Sequence, residues 1–141
     1  MKSLLNISIL LSILFLGCNK ENITEVNPEL FGSYESSAFT EPGSNDGGVN
    51  IQANGGYLKI ILNEDFNYYA ELLIPDNVSS NYPTGLTNYS GTFKVVNESI
   101  IFNSAFIISE LLWKNDDKIL ITPEVSLRGQ PLNVIMYKNI R

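Results

Sequence analysis

From Leu58 to Thr122 the chain alternates apolar with polar residues in short runs, and the joints between runs are by turns tight and long. Few folds accept that pattern. Leu58, Ile60 and Leu62 share one face against Lys59, and Phe66, Tyr68, Ala70, Leu72 and Ile74 share one against Asn67 and Glu71. Tyr89, Gly91, Phe93 and Val95 alternate with Ser90, Thr92 and Lys94; Ile100 and Phe102 flank Ile101; Leu111 and Trp113 alternate with Glu110, Leu112 and Lys114. Ile119 and Ile121 alternate with Lys118 and Thr122, while Leu132 to Lys138 reads as a last strand with no clear face. Successive side chains of an extended chain point to opposite faces, so a period of two predicts half-buried β-strands. Asn63-Glu64-Asp65, Asn97-Glu98 and Asn115-Asp116-Asp117 form the tight joints, with residues that tolerate the positive φ of short hairpin turns. Ala38 to Gly55, Pro75 to Gly85, Asn103 to Ser109 and Glu124 to Pro131 form the long ones. In an up-and-down meander alternate joints lie at opposite ends, so every tight turn falls at one end and every long loop at the other. The predicted fold class is all-β, an antiparallel up-and-down meander of about eight strands, barrel-like.

One short helical turn is predicted ahead of the first strand. In Asn27-Pro28-Glu29-Leu30-Phe31-Gly32, Asn caps the turn, Pro opens it and Gly follows its end. Its place before the first strand puts it at the tight-turn end. The chain in front of it reads differently. Lys2 supplies a positive start, Leu4 to Leu16 is apolar but for Asn6, Ser8 and Ser12, and polar Asn19-Lys20-Glu21-Asn22 follows Cys18. That is a secretory leader, and the run is short of the ~20 apolar residues that a membrane-spanning helix needs. Phe15-Leu16-Gly17-Cys18 resembles a lipobox, which implies cleavage before Cys18 and lipid on its thiol. The expected organisation is therefore a leader over 1–17, a lipidated cysteine and tether over 18–29, and one domain over 30–141. The expected location is the cell envelope, lipid-anchored to the outer membrane and facing either the periplasm or the exterior. Lys20-Glu21 looks like the start of a surface-export signal.

Composition removes most chemistry. The chain has no histidine and one cysteine, Cys18, so it forms no internal disulfide and offers no Ser-His or Cys-His pair and no ordinary zinc ligand set. A net charge of −6 argues against nucleic acid as a partner. Glu64 with Asp65, and Asp116 with Asp117, are neighbours on tight turns and read as turn residues rather than an acid-base pair. Ser44-Asn45-Asp46-Gly47-Gly48 lacks the spaced acids of a calcium loop and reads as a plain loop. No catalytic residue, metal or cofactor is expected.

Aromatic residues carry what remains. The alternation turns Phe66, Tyr68, Tyr89, Phe93, Phe102 and Trp113 inward. Side chains of that size can fill an eight-strand interior, or they can wall a cavity whose mouth lies among Phe39, Tyr82 and Phe106. For a cavity, Tyr68, Tyr89 and Trp113 are the candidate ligand-binding residues.

Four stretches, Gly32-Ser33-Tyr34 after the helical turn, Gly56-Tyr57-Leu58-Lys59-Ile60, Tyr89-Ser90-Gly91-Thr92-Phe93-Lys94-Val95 and the closing Tyr137-Lys138, resemble the lipocalin-like (calycin-type) lipoproteins common in Bacteroidota. The resemblance covers Leu30 to Arg141 and implies a small β-barrel. The function expected is that of a membrane-anchored, exported module binding a small apolar or aromatic ligand. The alternative is a protein-interaction or accessory subunit of an envelope complex, with a filled core.

Overall fold

Eight antiparallel strands close into a barrel, and a ninth, two residues long, is added at one rim. The computed structural model describes residues 26–42, 48–103, 106–123 and 132–139. The leader, Cys18, Lys20-Glu21, the tether up to residue 25, the loop residues 43–47 and the joint 124–131 lie outside the described residues. After a 3₁₀ turn at Pro28–Leu30 come β1 (Gly32–Glu41), β2 (Val49–Asn50) and a second 3₁₀ turn at Gln52–Asn54. Then follow β3 (Tyr57–Leu62), β4 (Asn67–Ile74), β5 (Gly85–Val96), β6 (Ser99–Asn103), β7 (Glu110–Lys114), β8 (Ile119–Ile121) and β9 (Asn133–Lys138).

From β3 to β9 each strand pairs with the next, and β1 pairs with β3 on one edge and with β9 on the other, which closes the wall. The twelve-residue β5 serves two neighbours in succession, β4 along Gly85 to Thr92 and β6 along Thr92 to Val96. That stagger tilts the strands, as closure of a small barrel requires. Where β1 outruns β3, the Ser36 hydroxyl continues the ladder by accepting from the Leu58 amide at 3.0 Å and donating to Gln52 Oε1 at 2.8 Å.

Five expectations need correction. The joint expected over Ala38 to Gly55 is partly strand, because β1 continues to Glu41 and β2 pairs with its end. A bulge between Ser36 and Ala38 shifts the alternation by one, so that Phe39 and Glu41 turn inward and the period looks broken from the sequence. Phe66 is not an inward strand residue. It closes the turn at φ 61 with its amide bonded to the Asn63 carbonyl, and its side chain stays 38% exposed. The φ that closes a short hairpin with a left-handed residue falls on Asn97 as expected, but on Phe66 and Lys118 in the other two turns. In β8 the inward residue is Leu120, with Ile119 and Ile121 half-buried outside. β9 does have a face: Val134 and Met136, continuing Leu132, are buried, and Ile135 and Tyr137 point out.

The tight-turn end is plugged by the segment Asn27 to Phe31 that precedes β1. Asn27 caps the first 3₁₀ turn and donates to Asn115 Oδ1 at 2.8 Å, Lys118 meets Glu29 at 3.1 Å, and the Phe31 ring stands edge-on to Phe66. The buried Leu30 side chain fills the barrel bottom, and its carbonyl accepts from the Tyr34 hydroxyl at 2.6 Å. Gly32 leaves the plug at φ 141, under the Lys138 side chain; a Cβ there would lie 2.8 Å from Lys138 Cε. Gly56 is boxed in more tightly, since a Cβ would run into the Ile51 side chain and lie 2.7 Å from the Leu73 carbonyl oxygen, neither of which can swing away as the lysine stem can.

Candidate functional site

Inside the barrel the aromatic residues pack on one another. Tyr68 and Phe102 meet edge to face with centroids 4.8 Å apart, and Phe106, entering from the loop after β6, lies 5.0 Å from Phe102, 5.4 Å from Tyr68 and 5.2 Å from Tyr89. Phe93 continues the cluster to Phe102 at 6.4 Å. Contacts at these spacings fill the part of the interior that these rings occupy. Two of the residues picked from the sequence, Tyr68 and Tyr89, thus share one cluster through Phe106. Trp113 is elsewhere, edge-on to Tyr34 at 6.0 Å beside the plug, with an indole N–H that has no hydrogen-bond acceptor among the described residues. Burial pushes the Tyr34 and Tyr89 phenols above their ordinary range, because the charged phenolate is the form that loses most on leaving water. Phe39 is part of the inner wall, and Tyr82 is half-buried at the long-loop end.

That end is held by a polar clasp. Glu41, 4% exposed at the close of β1, accepts from the Ser80 hydroxyl and from both the backbone and side-chain N–H of Asn81. A buried carboxylate is tolerated only when its oxygens are met by donors, and here the loop between β4 and β5 supplies them. Val78 of the same loop is buried beneath the clasp. The sequence shows no special signal for Glu41, which stands in a stretch that reads as loop.

Outside the wall at the same end, β1, β8 and β9 enclose a groove of about 510 Å³. Ala38, Ile121 and Ile135 form its apolar side, in register across the three strands, and Thr40, Thr122 and Asn133 form its polar side. It arises because β8 stops at Ile121 whereas β9 and β1 run on; just past the end of β8 the Thr122 amide donates to the Val134 carbonyl at 3.1 Å and the Thr122 hydroxyl accepts from the Val134 amide at 3.0 Å. No charged side chain lines it among the described residues. Its size falls within the usual range for small-molecule sites. Below it the wall stays apolar: Ile119 sits opposite Tyr137, which is 54% exposed. Sequence reasoning missed all of these residues, since their orientation depends on the bulge in β1 and on the inward face of β9. No family model, curated protein or solved structure matches the chain.

Proposed function

We propose that this protein is an exported, lipid-anchored, lipocalin-like binding module that holds a small, uncharged, mainly apolar ligand in the outer groove of β1, β8 and β9 rather than in its lumen. One observation carries the reading: the candidate wall residues Tyr68 and Tyr89 are taken up in a packed ring cluster inside the barrel, while a groove of ligand size stands free outside. The chain's entry at the tight-turn end supports the arrangement, because a lipid on Cys18 sets that end toward the outer membrane of the cell envelope and the groove away from it. Incorporation of labelled palmitate, lost in Cys18→Ser, tests the anchor. For the ligand, the mature protein is released in mild detergent and its native mass recorded. An added mass retained by the wild type and lost in Ile135→Lys places it in the groove; loss in Phe106→Ala with retention in Ile135→Lys places it in the lumen and refutes the reading.

A second reading has its own observation. Ile135 and Tyr137 are 40% and 54% exposed beside Ile119 and Ile121, and an exposed apolar wall of this kind marks protein contact sites. In that reading the groove takes an apolar side chain of an envelope protein. A photo-crosslinker at Tyr137 giving one discrete adduct in intact cells favours it over the free ligand.

A further inference from the structure

The outer wall of β3, β4 and β5 has a different character from that of β8 and β9. Two cross-strand rows run side by side there, Ile61–Tyr69–Ser90 and Lys59–Glu71–Asn88. The first row has an apolar floor, Ile61 41% and Tyr69 42% exposed. The Tyr69 hydroxyl donates to Asn88 Oδ1 at 2.7 Å. That bond holds the phenol to the neighbouring strand while the residue stays 42% exposed, so ring surface remains open to solvent. The second row is polar and held in place: Glu71 Oε1 accepts from the Tyr57 hydroxyl at 2.6 Å, and Lys59 stands 3.9 Å from Glu35 and over the Tyr57 ring at 4.5 Å. Glu71 also holds the Tyr57 phenol above its ordinary range through that bond.

Among the described residues these bonds leave specific groups uncommitted. Glu71 Oε2 is an acceptor, Asn88 Nδ2 a donor directly across the strand pair, and Ser90 Oγ either. An acceptor and a donor side by side match two adjacent hydroxyls, and an exposed ring face beside them matches a surface of C–H groups. A sugar ring offers both. Two carboxylates against one ammonium make the patch slightly negative in a chain of net charge −6, which disfavours acidic glycans. From this geometry we infer that the outer wall of β3–β5 binds a neutral oligosaccharide, one sugar ring resting on Tyr69 with neighbouring hydroxyls on Glu71 and Asn88.

The inference is independent of the groove and is tested on the full mature protein by calorimetric titration with cellohexaose, maltohexaose and mannohexaose, and with hexagalacturonate as the acidic counterpart. Saturable binding of a neutral hexasaccharide is expected, weakened about tenfold or more by Tyr69→Ala and by Glu71→Gln, and unchanged by Val96→Ser on the exposed end of β5. Circular dichroism and the thermal midpoint of each variant establish that the barrel is intact. Saturation by none of the three neutral sugars, tighter binding of hexagalacturonate, or full affinity in a folded Tyr69→Ala variant would overturn it.

Discussion

The two ends of the barrel are closed by different physics. At the tight-turn end the seal is apolar, with Leu30 and Tyr34 buried among Trp113, Phe31 and the strand ends. At the long-loop end Phe106 and Val78 also pack inward, but the loop between β4 and β5 is tied to the barrel by a carboxylate, Glu41, gripping Ser80 and Asn81. Apolar packing is lost only when the whole core is lost, whereas a hydrogen-bonded clasp can release one loop and leave the rest standing. The comparison teaches where adaptable surface can exist in this molecule. The plugged end spends its surface on holding the fold together, and both the clasp and the groove are at the other.

The largest effect should come from the plug. Tyr34→Ala removes a ring at 0% exposure and strips the Leu30 carbonyl of its partner. It should cost ~3–5 kcal/mol, read as a shifted urea midpoint of one cooperative transition. A loss below ~1.5 kcal/mol would mean that the plug is an attachment to the barrel rather than part of its core. Glu41→Ala should cost less, ~2 kcal/mol, because charge-assisted hydrogen bonds are lost while the apolar core is untouched. Its second signature sharpens the contrast. Amide exchange should accelerate at Val78 and Asn81 and stay unchanged around Tyr34 and Trp113; acceleration at both ends would abolish the distinction between them.

How much of this could be read from the sequence divides along the same line. The strand order, the all-β class and the position of the first 3₁₀ turn follow from period and turn chemistry, which are local. Local signals failed wherever both neighbours of a residue were also apolar or the period slipped. Ile119-Leu120-Ile121 is apolar throughout, and only pairing of Leu120 with Met136 and Trp113 shows which residue faces in. In β9 the outward Ile135 and Tyr137 hid the inward Val134 and Met136. The bulge at Ser37 made half of β1 look like loop. The groove is built from those three strands, so it was invisible for the same reason. Of the three aromatics chosen as a cavity wall, Tyr68 and Tyr89 do meet, but through Phe106, a loop residue whose inward course no local pattern announces.

A finer change separates the packing of Tyr34 from its hydroxyl. Tyr34→Phe keeps the ring and should cost ~1 kcal/mol at neutral pH. The pH dependence gives the sign. Because the folded phenol titrates above its ordinary value of 10.0, its contribution is full below that value and falls as pH rises through it, the unfolded chain losing the proton first. Stability of the wild type should therefore fall more steeply than that of Tyr34→Phe between neutral pH and about pH 11. Parallel curves would mean that the hydroxyl reaches water in the folded state, and that the plug is leakier than the packing indicates.

The smallest effects test whether the polar ties around the plug contribute at all. Lys118 meets Glu29 at 3.1 Å with both side chains about half exposed, a geometry in which ion pairs contribute little. The same residue carries φ 53, a left-handed backbone that costs an L side chain ~1 kcal/mol. Lys118→Ala keeps the strained backbone and loses the ion pair, so it should destabilise by no more than ~0.5 kcal/mol, and by less in high salt. Lys118→Gly loses the same ion pair but relieves the backbone, and despite the greater freedom of glycine in the unfolded chain it should come out ~0.5 kcal/mol more stable than Lys118→Ala. If glycine is the worse of the two, the left-handed backbone at Lys118 carries no strain to relieve; if Lys118→Ala itself costs well above ~0.5 kcal/mol, the ion pair and the lysine stem hold the plug more firmly than exposed ties do elsewhere, and the contrast between the two ends of the barrel narrows.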